Sequence, residues 1–188
     1  MTDGYRPSKD EYYWNIAKET AQRSNCMATK VGAIIVNDDQ IVATGYNGAP
    51  RGTKDCFERG GCLRRELNIE SGTQYELCRS VHAEQNAIIN AARAGVSLLN
   101  STMYMYLVKR TPNGDKFVTS APCFICRKMM INAGIKRFVG NDDEGKITSK
   151  DMGEWVEEWN KGDLFDSSKK YDSKYTKEEF EAMTKKEK

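Results

Sequence analysis

His82, Glu84, Cys123 and Cys126 carry the strongest chemical signal in this sequence. His82-Ala83-Glu84 opens one predicted helix and Pro122-Cys123-Phe124-Ile125-Cys126 opens another, with 40 residues between His82 and Cys123. Two cysteines three apart at the start of a helix share a face, so both sulfurs can reach one point in space. A helix N-terminus also presents unpaired N–H groups and a partial positive charge, which favour thiolate over thiol. One imidazole and two thiolates are a donor set for zinc, whose catalytic sites keep the fourth tetrahedral position for water. Glu84, two residues past His82, stands close enough to exchange a proton with that water without being a ligand. A lone histidine is more often a satisfied core residue, and a CxxC pair can be a redox dithiol. The dithiol needs a βαβ context that is absent upstream, and three elements in this order, each at a helix start, argue against coincidence.

These residues need elements to hold them. Ser8 followed by Glu11 reads as a capping box, and Tyr12, Tyr13, Ile16, Ala17, Thr20 and Ala21 carry a first helix to about Ser24. Two apolar runs, 31–36 (VGAIIV) and 41–46 (IVATGY), predict a hairpin with a four-residue loop at 37–40. A glycine-rich irregular stretch containing Cys56 and Cys62 follows. A helix is predicted from Val81 to Arg93 with Gly95 as its stop, then a strand at 103–108. Turn chemistry at 111–115 lets Phe117-Val118 return as a hairpin arm. Pro122 starts a helix that runs to Gly134, and residues 135–140 close the core as a strand. Trp155, Val156 and Trp159 predict one more amphipathic helix. The expected architecture is a single α/β domain over 1–165, a mixed central sheet with helices on both faces, followed by a polar tail at 166–188.

Composition narrows the function classes. The 188 residues carry 29 Lys+Arg against 27 Asp+Glu, a net charge of +2, which gives no reason to expect a nucleic-acid coat or a membrane-surface protein. No apolar run approaches the ~18 residues of a membrane helix. The first residues lack the basic flank and apolar stretch of a signal peptide, so the expected compartment is the cytoplasm. There thiols stay reduced, and the six cysteines read as metal ligands or free thiols more readily than as disulfides.

The HxE…PCxxC order is the signature of zinc nucleobase deaminases. With 31–36 (VGAIIV), 44–50 (TGYNGAP), 82–88 (HAEQNAI) and 132–135 (NAGI), the chain resembles the cytidine/deoxycytidylate deaminase superfamily over residues 8–140. TGYNGAP and Asn86 favour the deoxycytidylate (dCMP) branch. The resemblance implies a cytidine deaminase-like fold and hydrolysis of dCMP to dUMP and ammonia, with attack at C4 of the ring. It implies catalytic zinc on His82, Cys123 and Cys126, with Glu84 as the proton shuttle. Asn47 would hydrogen-bond the sugar, and the backbone of Ala83 and Ala121 would meet the pyrimidine edge. Two readings remain beside it: a deaminase of free cytidine or of a base in RNA, and a non-catalytic zinc-stabilised nucleotide-binding module. Balanced charge speaks against RNA, and Glu84 against the module.

Cys26, Cys56, Cys62 and Cys78 remain. Some dCMP deaminases hold a second, structural zinc with ligands from comparable regions, so the resemblance implies a four-cysteine zinc site that anchors the irregular loop. The residues alone leave open four buried free thiols, because only Cys56 and Cys62 are close, and their five-residue gap exceeds the usual spacing. The regulated members are homo-oligomers, usually hexamers, that bind dCTP as activator and dTTP as inhibitor. The resemblance implies effector contacts at Gly45, Tyr46 and Gly48 of the glycine-rich TGYNGAP stretch. Arg93 is a phosphate contact or, more blandly, a cation at a helix C-terminus. Relative to the family pattern, residues 109–120 form an inserted hairpin, expected close to the mouth of the site.

Overall fold

Two central strands, β1 (Thr29–Asn37) and β3 (Thr102–Thr111), decide the layering because both of their faces are buried. Ala33, Ile35, Met103 and Met105 point into one apolar cluster, while Ile34, Val36, Tyr104, Tyr106 and Val108 point into the other. This is the two-residue alternation of a strand, with both of its faces covered. The computed structural model describes residues 5–163 and 178. The predicted tail at 166–188 lies, apart from residue 178, outside the described residues.

β2 (Gln40–Tyr46), β4 (Gly114–Phe117), β5 (Arg137–Asn141) and β6 (Ile147–Asp151) complete a sheet in the order β2-β1-β3-β5-β6, with β4 paired to β3. β3 and β5 are parallel and the other pairs antiparallel, giving the expected mixed sheet. α1 (Lys9–Ala21) covers one face. α4 (Ala83–Ala94), α5 (Phe124–Asn132) and α6 (Met152–Lys161) contribute to the cluster on the other, through residues such as Ala87, Met130 and Trp155.

α1 starts where its capping box predicts: Glu11 N donates to Ser8 Oγ at 3.2 Å and Ser8 N to Glu11 Oε2 at 2.7 Å. It buries Tyr13, Trp14, Ala17 and Ala21. It ends at Ala21, short of the expected Ser24, where the chain continues in hydrogen-bonded turns. A Cβ at Gly32 would stand 2.1 Å from Ala17 O, so α1 sits on β1 at a distance only glycine allows.

The structure tightens the β1–β2 loop from the expected four residues to two. Asp38 and Asp39 both adopt positive φ, 45° and 62°, as a type I′ turn requires. Tyr13 Oη donates to Asp39 O at 2.7 Å and to its Oδ1 at 2.8 Å, a tertiary anchor that local sequence does not show. β6 was not expected. Its one large apolar residue is Ile147, and its place comes from pairing along β5 from Arg137 to Asn141.

The stretch between β2 and α4 holds α2 (Cys56–Arg59), α3 (Leu63–Glu66) and a 3-10 turn (Tyr75–Leu77). Its two ends are clamped together: Gly48 N donates to Val81 O at 3.2 Å and Val81 N to Gly48 O at 2.8 Å. The loop is thus closed at the residue before His82. The 109–120 insertion is the hairpin anticipated from its turn chemistry. Phe117 packs on Trp14 and Tyr106, which places the hairpin's anchor on the α1 face rather than the α4 face.

Candidate active site

His82 and Cys123 are the N-cap residues of α4 and α5, so both stand at the positive end of a helix. Cys123 Sγ lies 3.5 Å and Cys126 Sγ 3.4 Å from His82 Nδ1. Zinc bonds of about 2.05 Å to nitrogen and 2.3 Å to sulfur, opened to the tetrahedral angle, separate the two donors by about 3.6 Å. The spacing therefore fits zinc, with Nδ1 as the ligating nitrogen. Among the described residues, His82, Cys123 and Cys126 are the set of three or more His, Cys, Asp or Glu whose donor atoms all lie within 4.8 Å of one another.

α4 is tied to the sheet by two asparagines. Asn86 Nδ2 donates to Tyr46 O at 2.8 Å and Asn90 Nδ2 to Thr44 O at 2.7 Å. Four helical residues rise about 6 Å and two strand residues about 6.6 Å, so the two spacings match. Gly45 lies between these carbonyls, and a Cβ there would meet Ala83 O and Ala87 N at 2.3 Å. Gly45 thus lets α4 press onto β2 and brings His82 and Glu84 to the sheet.

The cysteine side is held by two residues that the sequence did not single out. Asn141 is fully buried; its Oδ1 accepts from Leu107 N at 3.0 Å and Ser120 Oγ at 2.9 Å. Its Nδ2 donates to the carbonyls of Leu107, Val118 and Asp142 at 3.0–3.1 Å. One side chain thereby bridges β3, β5 and the segment that leads into Cys123. Arg127 Nε donates to Pro122 O at 2.9 Å, while its guanidinium lies over Phe124 and Trp155 at 5.3 and 4.7 Å.

Electrostatics agrees with the proton chemistry. Hydrogen bonding from Cys126, and then from His82, lowers the Cys123 thiol to about 4, while Cys126 is pushed up by the same contact. The two sulfurs thus share a proton that a metal would displace. Glu84 is 4% exposed, and burial raises its carboxyl above the ordinary value, with His82 opposing. A buried carboxyl held near its proton, beside the metal donors, is suited to shuttling that proton.

The remaining sequence-derived residues fall in several places. Asn47 is buried, with Oδ1 accepting from Val31 N at 2.9 Å and Nδ2 donating to Thr29 O and Oγ1 at 3.2 Å. Ala83 is buried in the first turn of α4 and Ala121 is exposed before Pro122. Tyr46 ends β2 with its carbonyl on Asn86, and Gly48 is buried in the clamp with Val81. Arg93 sits in the last turn of α4, at the opposite end from His82.

Cys26, Cys56, Cys62 and Cys78 line one cavity, and no three of their sulfurs lie within 4.8 Å of one another. The cavity also takes Arg64, which, like Tyr75, sequence reasoning missed. The Tyr75 ring meets the His82 imidazole edge-on at 4.9 Å between centroids, and the Arg64 guanidinium lies over Tyr75 at 5.2 Å. Neither residue belongs to a motif; only the folding of the loop brings Tyr75 to His82 and Arg64 to Tyr75.

Residues 7–141 match the cytidine and deoxycytidylate deaminase zinc-binding region. The chain is 36% identical over 135 residues to the deoxycytidylate deaminase of Schizosaccharomyces pombe, covering 72% of this chain and 37% of that protein. It is 37% identical over 139 residues to that of Mycobacterium phage D29, covering 71% of this chain and 94% of that one. It thus spans under two fifths of the fission-yeast protein and nearly all of the phage protein. The dCMP deaminase of cyanophage S-TIM5, in complex with dCMP and dUMP, superposes with a TM-score of 0.53 at 29% identity, over 73% of this chain and 84% of that one. With its three metal donors gathered on two helix N-termini and its zinc-binding region matched over most of its length, the chain belongs to the cytidine and deoxycytidylate deaminase family.

Proposed function

We propose that this chain hydrolyses dCMP to dUMP and ammonia. The observation that carries this reading is the convergence of three metal donors beside a buried carboxyl, His82, Cys123 and Cys126 with Glu84. Relatives at 36–37% identity that bear the name deoxycytidylate deaminase support the choice of substrate. His82 Nδ1 and the two thiolates would hold zinc, which when bound supplies an activated water at neutral pH. Glu84 takes a proton from the attacking water and delivers it to ring N3, then takes the proton of the new C4 hydroxyl and passes it to the departing amine. Water is consumed and ammonia released, so Glu84 ends as it began. The Ala83 N–H, in the first turn of α4, is an unpaired donor for the pyrimidine edge, with the backbone of Ala121 opposite. Asn47 Oδ1 keeps a second lone pair for a sugar hydroxyl.

The four remaining cysteines would hold a second, structural zinc. Cys26 Sγ accepts from Ala28 N at 3.4 Å. Burial pushes the Cys56 thiol up, and the other three cysteines add to that effect, so the four sulfurs interact in one place. Zinc would draw them together and staple a loop that has little core of its own. Homo-oligomerisation and control by dCTP and dTTP through Gly45, Tyr46 and Gly48 extend the same reading.

Ammonia release tests it, with dCMP, cytidine and a tRNA anticodon stem as substrates and zinc counted per chain. The expected result is turnover of dCMP, two zinc ions per chain, and a fall of about 10²–10⁴-fold in Glu84→Gln with both zinc ions retained. Turnover of cytidine or RNA in place of dCMP refutes the substrate. Bound zinc with no turnover of any of them refutes the activity, and one zinc per chain refutes the structural site.

A further inference from the structure

His82 is the only histidine in the chain, so a single imidazole carries the nitrogen donor of the metal site. Its backbone is well fixed. His82 N donates to Gln85 Oε1 at 3.0 Å, its carbonyl accepts from Asn86 N at 2.9 Å, and the neighbouring Val81 is paired with Gly48. These bonds do not reach the ring. The torsion that joins an imidazole to its Cβ is broad, without the sharp wells of an aliphatic chain, so a fixed backbone leaves the ring plane free. Rotation about that torsion carries Nδ1 away from the two sulfurs it faces at 3.5 and 3.4 Å. A ligating histidine therefore needs a neighbour that holds its ring.

The ring that stands against His82 is Tyr75. The centroids are 4.9 Å apart and the planes meet at 85°, the edge-to-face arrangement that aromatic rings prefer. Such a contact blocks rotation of the imidazole and leaves Nδ1 to the metal. Tyr75 is itself held in place. Arg64 lies over its ring at 5.2 Å and donates through Nη2 to the carbonyls of Glu70 and Thr73, at 2.7 and 2.6 Å. Cys78 N closes the 3-10 turn on Tyr75 O at 2.9 Å. Gln74, the residue before Tyr75, takes φ 45°, in the left-handed region where a residue with a side chain stands only when its surroundings keep it there.

We infer that Tyr75 is a positioning residue for the metal: its ring fixes the plane of the His82 imidazole, and Arg64 is the brace that keeps the Tyr75 ring in place. This rests on the reading of His82, Cys123 and Cys126 as zinc donors. It gives the long loop between β2 and α4 a part in that site, through a ring contact rather than through a ligand. The ring is oriented before the metal arrives, so less side-chain freedom is lost on binding. α3 and the 3-10 turn, otherwise short elements of an irregular stretch, supply the two residues of the brace.

Because the chain has a single histidine, isotope-labelled histidine gives the ring signals of His82 alone, and these report this site and not Cys26, Cys56, Cys62 and Cys78. Wild type, Tyr75→Leu, Tyr75→Phe and Arg64→Gln are titrated with zinc against a chelator while those signals are followed by NMR. In wild type the imidazole protons should show Overhauser contacts to the Tyr75 ring, a result that needs no variant. Tyr75→Leu is expected to lose the ring-current shift of the imidazole protons and to bind zinc at His82 about 3- to 10-fold more weakly, the range of an aromatic pair. Tyr75→Phe keeps the ring and should keep both the shift and the affinity. Arg64→Gln removes the cation from the Tyr75 face and should lose part of the shift.

Absence of the Overhauser contacts in wild type overturns the assignment, whether or not Tyr75→Leu folds. So does wild-type zinc affinity in a folded Tyr75→Leu protein, and so does an equal loss in Tyr75→Leu and Tyr75→Phe, which would trace the effect to the hydroxyl. A wild type that takes no zinc at His82 overturns this role and the zinc-site reading together. A Tyr75-dependent zinc site in a protein that releases no ammonia from dCMP upholds the positioning role and overturns the deaminase reading alone.

Discussion

Asn141→Asp changes one atom of a fully buried side chain and leaves its volume the same, so any effect comes from hydrogen bonding. The Asn141 amide nitrogen faces three carbonyl oxygens, those of Leu107, Val118 and Asp142. An ionised aspartate would point an acceptor at all three, and a protonated one offers a single O–H for them. The amide has two N–H groups for these carbonyls and the protonated carboxyl one O–H, so at least one part-buried carbonyl loses its donor, at about 1–3 kcal/mol. For a domain of this size each kcal/mol moves the melting midpoint by about 2–4 °C, so a fall of at least ~2 °C is expected. The loss should shrink in acid: burial raises the carboxyl's folded pKa above its unfolded value of about 3.9, so stability returns as pH falls through the folded value and is fully regained below about 3.9. Because Asn141 also holds Ser120, three residues before Cys123, zinc affinity should fall as well, by the 10- to 100-fold typical of removing support behind a ligand. Melting curves and competition with a chromophoric chelator measure both. A midpoint within about 1 °C of wild type, with zinc affinity unchanged, would show that Asn141 does not bridge these segments.

Other substitutions probe the rest of the scaffold. Gly45→Ala puts a methyl 2.3 Å from the backbone of α4 at Ala83 and Ala87. The helix must move, at about 1–3 kcal/mol or more for overpacking, and turnover should fall with the melting midpoint because His82 and Glu84 move with it. Unchanged activity in a destabilised Gly45→Ala protein would separate the packing from the site. Asp10 accepts both Arg137 Nη groups, at 2.9 and 2.7 Å, and Tyr104 Oη at 2.9 Å. Hydrogen bonding from Arg137, with a further contribution from Tyr104, holds its carboxyl below the usual value. That stability is fully present above the unfolded pKa of about 3.9 and is lost as pH falls through the folded value. Asp10→Asn should therefore be less stable than wild type at neutral pH and converge on it in acid, as read from urea midpoints; a gap independent of pH would exclude the ion pair as its source.

Much of this protein was legible along the chain because its signals are local. The Ser8–Glu11 box, the αL stop at Gly95, the turn at 111–115 and the positions of His82 and Cys123 ahead of their helices each depend on a few neighbouring residues. The apolar runs of β1 and β3 announced strands covered on both sides, and hence a layered α/β fold. β6 escaped because an edge strand with one large apolar residue is held by its neighbour's hydrogen bonds rather than by its own pattern. The two-residue turn at Asp38-Asp39 escaped because its anchor, Tyr13, is 26 residues away from Asp39.

The identity of the metal donors was local chemistry; their convergence was not. Nothing in the spacing of His82 and Cys123 states that two helix N-termini 41 residues apart meet within 3.5 Å. That meeting depends on glycine where α4 crosses β2, on two asparagines matched to two strand carbonyls, and on one buried amide bridging three segments. These contacts act across the fold, between residues whose types are common and whose partners are remote. Arg64 and Tyr75 are the extreme case. As residues in a polar loop they carry no pattern, and only the closing of that loop at Gly48 and Val81 sets the Tyr75 ring against the imidazole that would hold the metal, with Arg64 on the far side of the ring.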